Sequence, residues 1–278
     1  MTRWRAGSAV LDMEARTFVM GIVNVTPDSF SDGGLHYDAG AAVAGGLAMA
    51  EAGADVLDVG GESTRPGAAE VSVMEECERV VPVIKGLVAE LDRPVSVDTR
   101  RADVARAAID AGASIVNDVT AGRDPGMFDV VRAAGAGMVL MHMRGDPATM
   151  QQLTDYDDVV REVYDMLAGR VRAAVDAGID EERLAVDPGL GFAKTAEQSL
   201  LLVREIARFA DLGRPIVVGP SRKSFIGAVL GAEVHDRLEG TAGAVAWLAA
   251  NGANMVRVHD VPQMMRVVRM VAAIRSAG

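Results

Sequence analysis

The chain has 278 residues, half of them hydrophobic but only 4% aromatic, and a formal net charge of −11. A length of this order suits one large α/β domain, the acidic balance argues against nucleic acid as a partner, and a single cysteine, Cys77, excludes an intrachain disulfide and gives no argument for secretion. No run of eighteen uncharged apolar residues predicts a membrane span, and the opening residues, with Arg3, Arg5, Asp12, Glu14 and Arg16, hold no apolar signal segment, so a cytoplasmic protein is expected.

Residues 1–17 read as a lead-in and 18–278 as one domain. Short aliphatic runs follow in order at 18–25, 56–59, 95–97, 115–116, 138–141, 184–186, 216–218 and 255–258. Such unbroken runs suit strands buried on both faces of a parallel sheet. Helix-sized segments separate most of them. Five end in a recurring phrase, Ala52-Gly53-Ala54, Ala111-Gly112-Ala113, Ala134-Gly135-Ala136, Ala177-Gly178-Ile179 and Asn251-Gly252-Ala253. A glycine just past a helix takes the left-handed conformation that turns the chain back. Eight similar helix–strand units predict a closed (β/α)8 barrel, with an open doubly wound sheet as the rival.

The runs end in polar groups: Asn24, Asp58, Asp98, Asn117, His142, Asp187, Ser221, and the pair Arg257 and His259. In a closed barrel these ends meet at the face where catalysis occurs in this fold. Polar residues at strand ends facing solvent explain a few of them. They do not explain charges placed directly on buried strands, where an unpaired charge is costly.

The long polar loop 24–34 looks like a mobile lid or ligand loop, and the Asn24 carbonyl either suits Mg²⁺ shared with phosphate oxygens or caps the loop. In the next loop, 58–67, Arg65 offers a fork for two phosphate oxygens, while Asp58 and Glu62 are either pocket carboxylates or anchors. Asp98, Asn117 and Asp187 match a flat heterocycle rich in N–H donors, or else bind loop amides. The segment 219–224 opens a helix whose N-terminus, with Ser221 and Lys223, is a ready anion site. Arg257 and His259, two apart, share one face of a strand and suit a diphosphate. His142 is expected to line the pocket. Neither GxxxxGK[ST] nor GxGxxG is present.

Taken in order, NVTPDSFSDGG over 24–34, DVGGESTRPG over 58–67, SVDT over 96–99, ND over 117–118, MHM over 141–143, DPGLGF over 187–192, SRKS over 221–224 and RVH over 257–259 resemble the dihydropteroate synthase family from about residue 18 to the C-terminus. The resemblance implies a barrel that joins p-aminobenzoate to 6-hydroxymethyl-7,8-dihydropterin diphosphate. It implies that Asp98, Asn117, Asp187 and Lys223 bind the pterin, with Met141, Phe192 and Gly219 lining its slot. Asn24, Thr64, Arg257 and His259 would hold diphosphate, Asn24 also taking Mg²⁺. Phe30, Arg65, Pro66 and Ser224 would shape the p-aminobenzoate site. Asp98, Lys223, Arg257, His259 and Arg65 are the expected catalytic group. A homodimer and sensitivity to sulfonamides are implied as well. Arg144 and Ala193 depart from the family's usual residues without touching these contacts. A methyltransferase of the same barrel family, passing a methyl group from methyltetrahydrofolate to a corrinoid protein, has no use for the basic residues of a diphosphate site. A silent pterin-binding paralogue should have lost some of them. Alanine at Lys223 or Arg257 is expected nearly to abolish synthesis and to leave the fold intact.

Overall fold

The computed structural model describes residues 3–14, 16–25, 38–63 and 70–277. After an antiparallel hairpin of β1 (Arg3–Ala6) and β2 (Ala9–Asp12), strands and helices alternate. The order is β3 (Phe18–Asn24), α1 (Ala39–Glu51), β4 (Val56–Gly60), α2 (Val73–Glu90), β5 (Val95–Asp98), α3 (Ala102–Asp110), β6 (Ile115–Asp118), α4 (Met127–Ala134) and β7 (Gly137–Met141). It continues through α5 (Val159–Asp176), β8 (Leu184–Asp187), α6 (Ala196–Arg204), β9 (Val217–Val218), α7 (Ser224–Leu230), α8 (Leu238–Ala250), β10 (Met255–Val258) and α9 (Val261–Arg275).

The eight later strands are parallel neighbours in the order β8-β7-β6-β5-β4-β3-β10-β9. A bridge between Val186 and Ile216, with the Val186 N–H donating to the Pro215 carbonyl at 2.9 Å, returns β9 to β8 and closes the barrel. The expected strands are all present, and several run on to include the polar residue at their end, because main-chain pairing continues through Asn24, Asp98, Asn117 and Asp187. Of the recurring glycines, Gly53 stands at φ +106 and Gly252 at φ +104, a region an L side chain rarely adopts.

Side chains two apart on a strand share a face. Met20, Val56, Ile115, Val139, Ala185, Val217 and Met255 form one buried cluster inside the barrel. Two residues further along each of these strands stand Ile22, Asp58, Asn117, Met141, Asp187, Gly219 and Arg257. An apolar floor therefore lies directly beneath a mainly polar ring.

The lead-in is more than a tether. Trp4 is fully buried within the floor cluster, and its Nε1–H donates to the Arg183 carbonyl at 2.9 Å. The hairpin plugs the end of the barrel opposite the ring. Its four-residue strands are too short for alternation to announce them. Truncating a buried tryptophan costs about 3–5 kcal/mol. Trp4→Ala is accordingly expected to lower the urea midpoint by that measure, and a midpoint equal to wild type would show the plug to be dispensable.

Candidate active site

The centre of the ring is an ion-pair and amide network. Asp58, on β4, is wholly buried, and its Oδ2 accepts from Arg257 Nε at 2.5 Å and from Asn117 Nδ2 at 3.0 Å. Arg257 Nη2 also donates to Asp98 Oδ2 at 2.7 Å. Strand register makes the meeting possible: Gly60 pairs with Asp98, which pairs with Asn117, so β4, β5 and β6 end at one level. Asp58 is thus a shared anchor for a cation and an amide on opposite sides of the barrel. The sequence left it open between pocket carboxylate and anchor.

The second part of the mouth lies around Lys223. Its Nζ donates to the Leu190 carbonyl and stands 4.2 Å from the centre of the Phe192 ring. Met141 packs with Phe192 in a small cluster beneath. Asp187 is buried, and its Oδ1 accepts from the Gly189 N–H at 2.7 Å. Gly219 lies beside the Arg257 stem, where an added Cβ would make an ordinary contact at 3.8 Å.

Confinement sets the electrostatics. Burial raises the Asp98 carboxyl to about 7, against the lowering pull of Arg257. Burial lowers the Lys223 ammonium to about 8, with Asp187 opposing. Burial also raises Asp187, against the Gly189 hydrogen bond. Groups poised near neutrality in one pocket mark a functional site.

Towards the rim, Asn24 ends β3 half-buried, in register with Gly60. Just past β10, the His259 main-chain N–H donates to Ser221 Oγ at 3.2 Å, and the same Oγ lies 3.0 Å from His259 Nδ1. Ser221 is therefore spoken for by His259. Arg222, at φ +56, turns away to pair with Asp260. The helix after them, α7, begins only at the exposed Ser224 and is seven residues long. Ser221 and Arg222, just ahead of this helix, thus have side-chain partners of their own.

Phe30, Thr64, Arg65 and Pro66 lie outside the described residues. The residues flanking 64–69 are firmly held. Glu62 accepts from Arg100 at 3.1 Å and from Arg101 at 3.0 Å, and Glu70 from Arg100 at 2.9 Å. Arg101 also reaches the wholly buried Glu76 at 2.6 Å. Glu62 is an anchor. The arginines had no signal in the sequence beyond their position just after SVDT.

His142 corrects an expectation. It is 2% exposed and lies behind the pocket wall, with Nδ1 2.9 Å from Nζ of Lys194. Lys194, at 3% exposure, was not singled out by any pattern in the sequence. Among the described residues no group of three His, Cys, Asp or Glu gathers as a metal cage.

A closed (β/α)8 barrel whose polar mouth pairs carboxylates and an amide with two basic side chains defines a barrel enzyme for a flat, donor-rich heterocycle. Residues 20–259 match the family model described as pterin binding enzyme. The chain belongs to that family, among the dihydropteroate synthases. It is 45% identical to the dihydropteroate synthase of Synechocystis sp. over 96% of its own length and 93% of that protein's. The dihydropteroate synthase of Xanthomonas albilineans solved with 4-aminobenzoic acid superposes with a TM-score of 0.94 at 46% identity, covering 99% of both chains. Its complex with 7,8-dihydropteroate gives 0.91 at 44%, covering 99% of this chain and 100% of that one. The Yersinia pestis dihydropteroate synthase with a sulfonamide drug complex gives 0.94 at 39%, again covering 99% and 100%.

Proposed function

We infer that the chain joins p-aminobenzoate to 6-hydroxymethyl-7,8-dihydropterin diphosphate, giving 7,8-dihydropteroate and diphosphate, as a transferase of an alkyl group other than methyl. The observation that carries the reading is the network in which Asp58 holds Arg257 and Asn117 together beside Asp98. It supports the reading because Arg257, the cation proposed for the leaving group, stands beside Asp98 and Asn117, the groups proposed for a pterin edge.

In this reading Asp98, Asn117 and Asp187 accept and donate to the pterin's amino-pyrimidinone edge, and Lys223 meets its ring or carbonyl. Met141, Phe192 and Gly219 line the slot. Arg257 and His259 take the diphosphate with Asn24 and Thr64. Phe30, Arg65, Pro66 and Ser224 border the p-aminobenzoate.

The C–O bond breaks with its electron pair leaving on diphosphate, and the exocyclic carbon is left as a cation delocalised into the dihydropterin. The aniline nitrogen then attacks that carbon and sheds a proton. The chain contributes orientation and fixed charge and forms no covalent bond to substrate. Water must be excluded while the cation exists.

Mg²⁺ suits this donor set. A hard cation shared with phosphate oxygens asks for only one or two protein oxygens, and the Asn24 carbonyl, level with Gly60 and two strands from Asp98, is such an oxygen. When bound it supplies charge neutralisation to the diphosphate.

We also place the chain in the cytoplasm as a homodimer. No helix among the described residues is long and apolar enough to cross a membrane. The last three helices and their links expose Val229, Leu230, Val234, Trp247, Met270 and Ile274, a supply of apolar surface for a second copy.

The test is incubation with Mg²⁺, the pterin diphosphate and labelled p-aminobenzoate. Labelled dihydropteroate is expected, with inhibition by a sulfonamide that p-aminobenzoate relieves and a light-scattering mass of two chains. Absence of the product sinks the function. Turnover untouched by sulfonamide in large excess over p-aminobenzoate sinks the drug sensitivity alone.

A further inference from the structure

We propose that Lys194 is a positioning residue: from behind the pocket wall it fixes the turn that carries Phe192 into the pterin slot. The proposal rests on the reading that Phe192 and Lys223 form that slot.

Lys194 is buried, and its Nζ has two partners, the Phe192 carbonyl at 2.8 Å and His142 Nδ1 at 2.9 Å. Burial holds the Lys194 amine well below its ordinary range. Burial, aided by Lys194, also drives the His142 imidazole down to about 2, so that ring is neutral. Nζ donates to the Phe192 carbonyl and to Nδ1 as the unprotonated ring nitrogen, so the polar groups of this buried pair are satisfied by each other and by the main chain.

The turn it holds is not one the chain would keep unaided. Ala193, the residue between the two bonded ones, is fully buried at φ +52. A non-glycine residue in that region is strained and persists only where its surroundings enforce it. Gly189 is pressed so closely on the end of β7 that an added Cβ would lie 2.1 Å from the His142 carbonyl oxygen. The segment from Asp187 to Lys194 thus wraps the end of β7. Lys194 fastens it from behind through His142 and the Phe192 carbonyl. Lys223 touches it from the front, through the Leu190 carbonyl and the Phe192 ring. Without the rear fastening Ala193 is released towards ordinary backbone angles, and the Phe192 ring leaves the wall against which a pterin would stack.

Lys194→Met keeps the length and the apolar bulk but donates nothing. Two lost hydrogen bonds, partly recovered by relaxation, correspond to a change of about tenfold. The expected result is a KM for the pterin diphosphate raised about tenfold, with the KM for p-aminobenzoate within about twofold of wild type. Lys194→Gln, whose amide can still reach the Phe192 carbonyl, should recover most of the loss. In a Phe192→Ala background Lys194→Met should add almost nothing. Equal shifts in both KM values, or a lower active fraction with both KM values unchanged, would overturn the proposal, since a merely structural lysine gives those results. If Lys194→Met does not fold, His142→Phe removes one partner and is read in the same way. A rise in the pterin KM alone supports the assignment and an unchanged value overturns it. Wild-type protein in the same assay separates the two levels: no wild-type product refutes the function, while turnover with flat pterin KM values refutes only the role of Lys194.

Discussion

Arg257→Ala is expected to lower kcat/KM for the pterin diphosphate by about 10³-fold or more and to destabilise the barrel at the same time. The first effect follows from the work proposed for the residue. A preorganised cation facing charge that develops on a leaving group contributes roughly 10²–10⁵-fold in comparable sites. The second effect follows from its neighbours. Arg257 is the cation shared by Asp58, which is wholly buried, and Asp98, which is nearly so. Removing it leaves one carboxylate unpaired in the interior and a second without its main counter-charge. Breaking a buried pair from one side costs about 3–5 kcal/mol, most of it the stranded charge. Asn117 suffers too, because its amide donates to the same Asp58 oxygen. The sequence suggested an inactive but intact protein, and the network makes that outcome improbable. Arg257→Lys separates the two effects. A single ammonium can satisfy Asp58 but cannot span Asp58 and Asp98 as the fork does, so much of the stability should return and little of the rate. Kinetics and urea unfolding on both variants check this. Near-normal turnover in Arg257→Ala would remove Arg257 from the site, and unchanged stability would show that the two carboxylates find other partners.

The parts legible in the sequence and the parts that were not differ in physical kind. The barrel could be read because it depends on local signals: aliphatic runs sized for buried strands, glycines past helix ends, and a polar residue closing each run. Asp98, Asn117, Asp187 and Arg257 could be picked out because a charged or strongly polar group on a buried strand needs a reason. Asp58 could be noticed but not understood, since its two partners lie 59 and 199 residues away in the chain and meet it only after the barrel closes. Lys194 gave no signal, because a lysine a few residues beyond a strand reads as a surface residue until His142 and Phe192 are seen to enclose it. Ser221 and Lys223 read as the start of an anion-binding helix, and the partners of Ser221 and of the intervening Arg222 could not be foreseen. Those partners, His259 and Asp260, come from the end of the next strand, a neighbour in space that local spacing cannot reveal.

Lys223 offers the sharpest test of the electrostatic reading, because its expected effects are on both rate and pH. Lys223→Ala removes the cation from the face of Phe192 and leaves the Leu190 carbonyl without its donor. A loss of about 10²–10³-fold in kcat/KM is expected, the range found when one donor to a reacting group is deleted. In the free wild-type protein, burial raises Asp98 to about 7 and lowers Lys223 to about 8. As pH rises through the first value Asp98 gains the charge that accepts pterin N–H groups. As it rises through the second, Lys223 loses the charge that meets the substrate. The product of the two ionisation states is a narrow bell in kcat/KM, and kcat/KM reports groups of the free enzyme. Asp98→Asn should flatten the acid limb and leave the alkaline one. Lys223→Arg should flatten the alkaline limb, because a guanidinium keeps its proton throughout this range, while its bulk lowers the rate. An alkaline limb that persists unchanged in Lys223→Arg would assign that limb to another group. The reading that Lys223 must be protonated to bind the pterin would then fall, even if Lys223→Ala proved inactive.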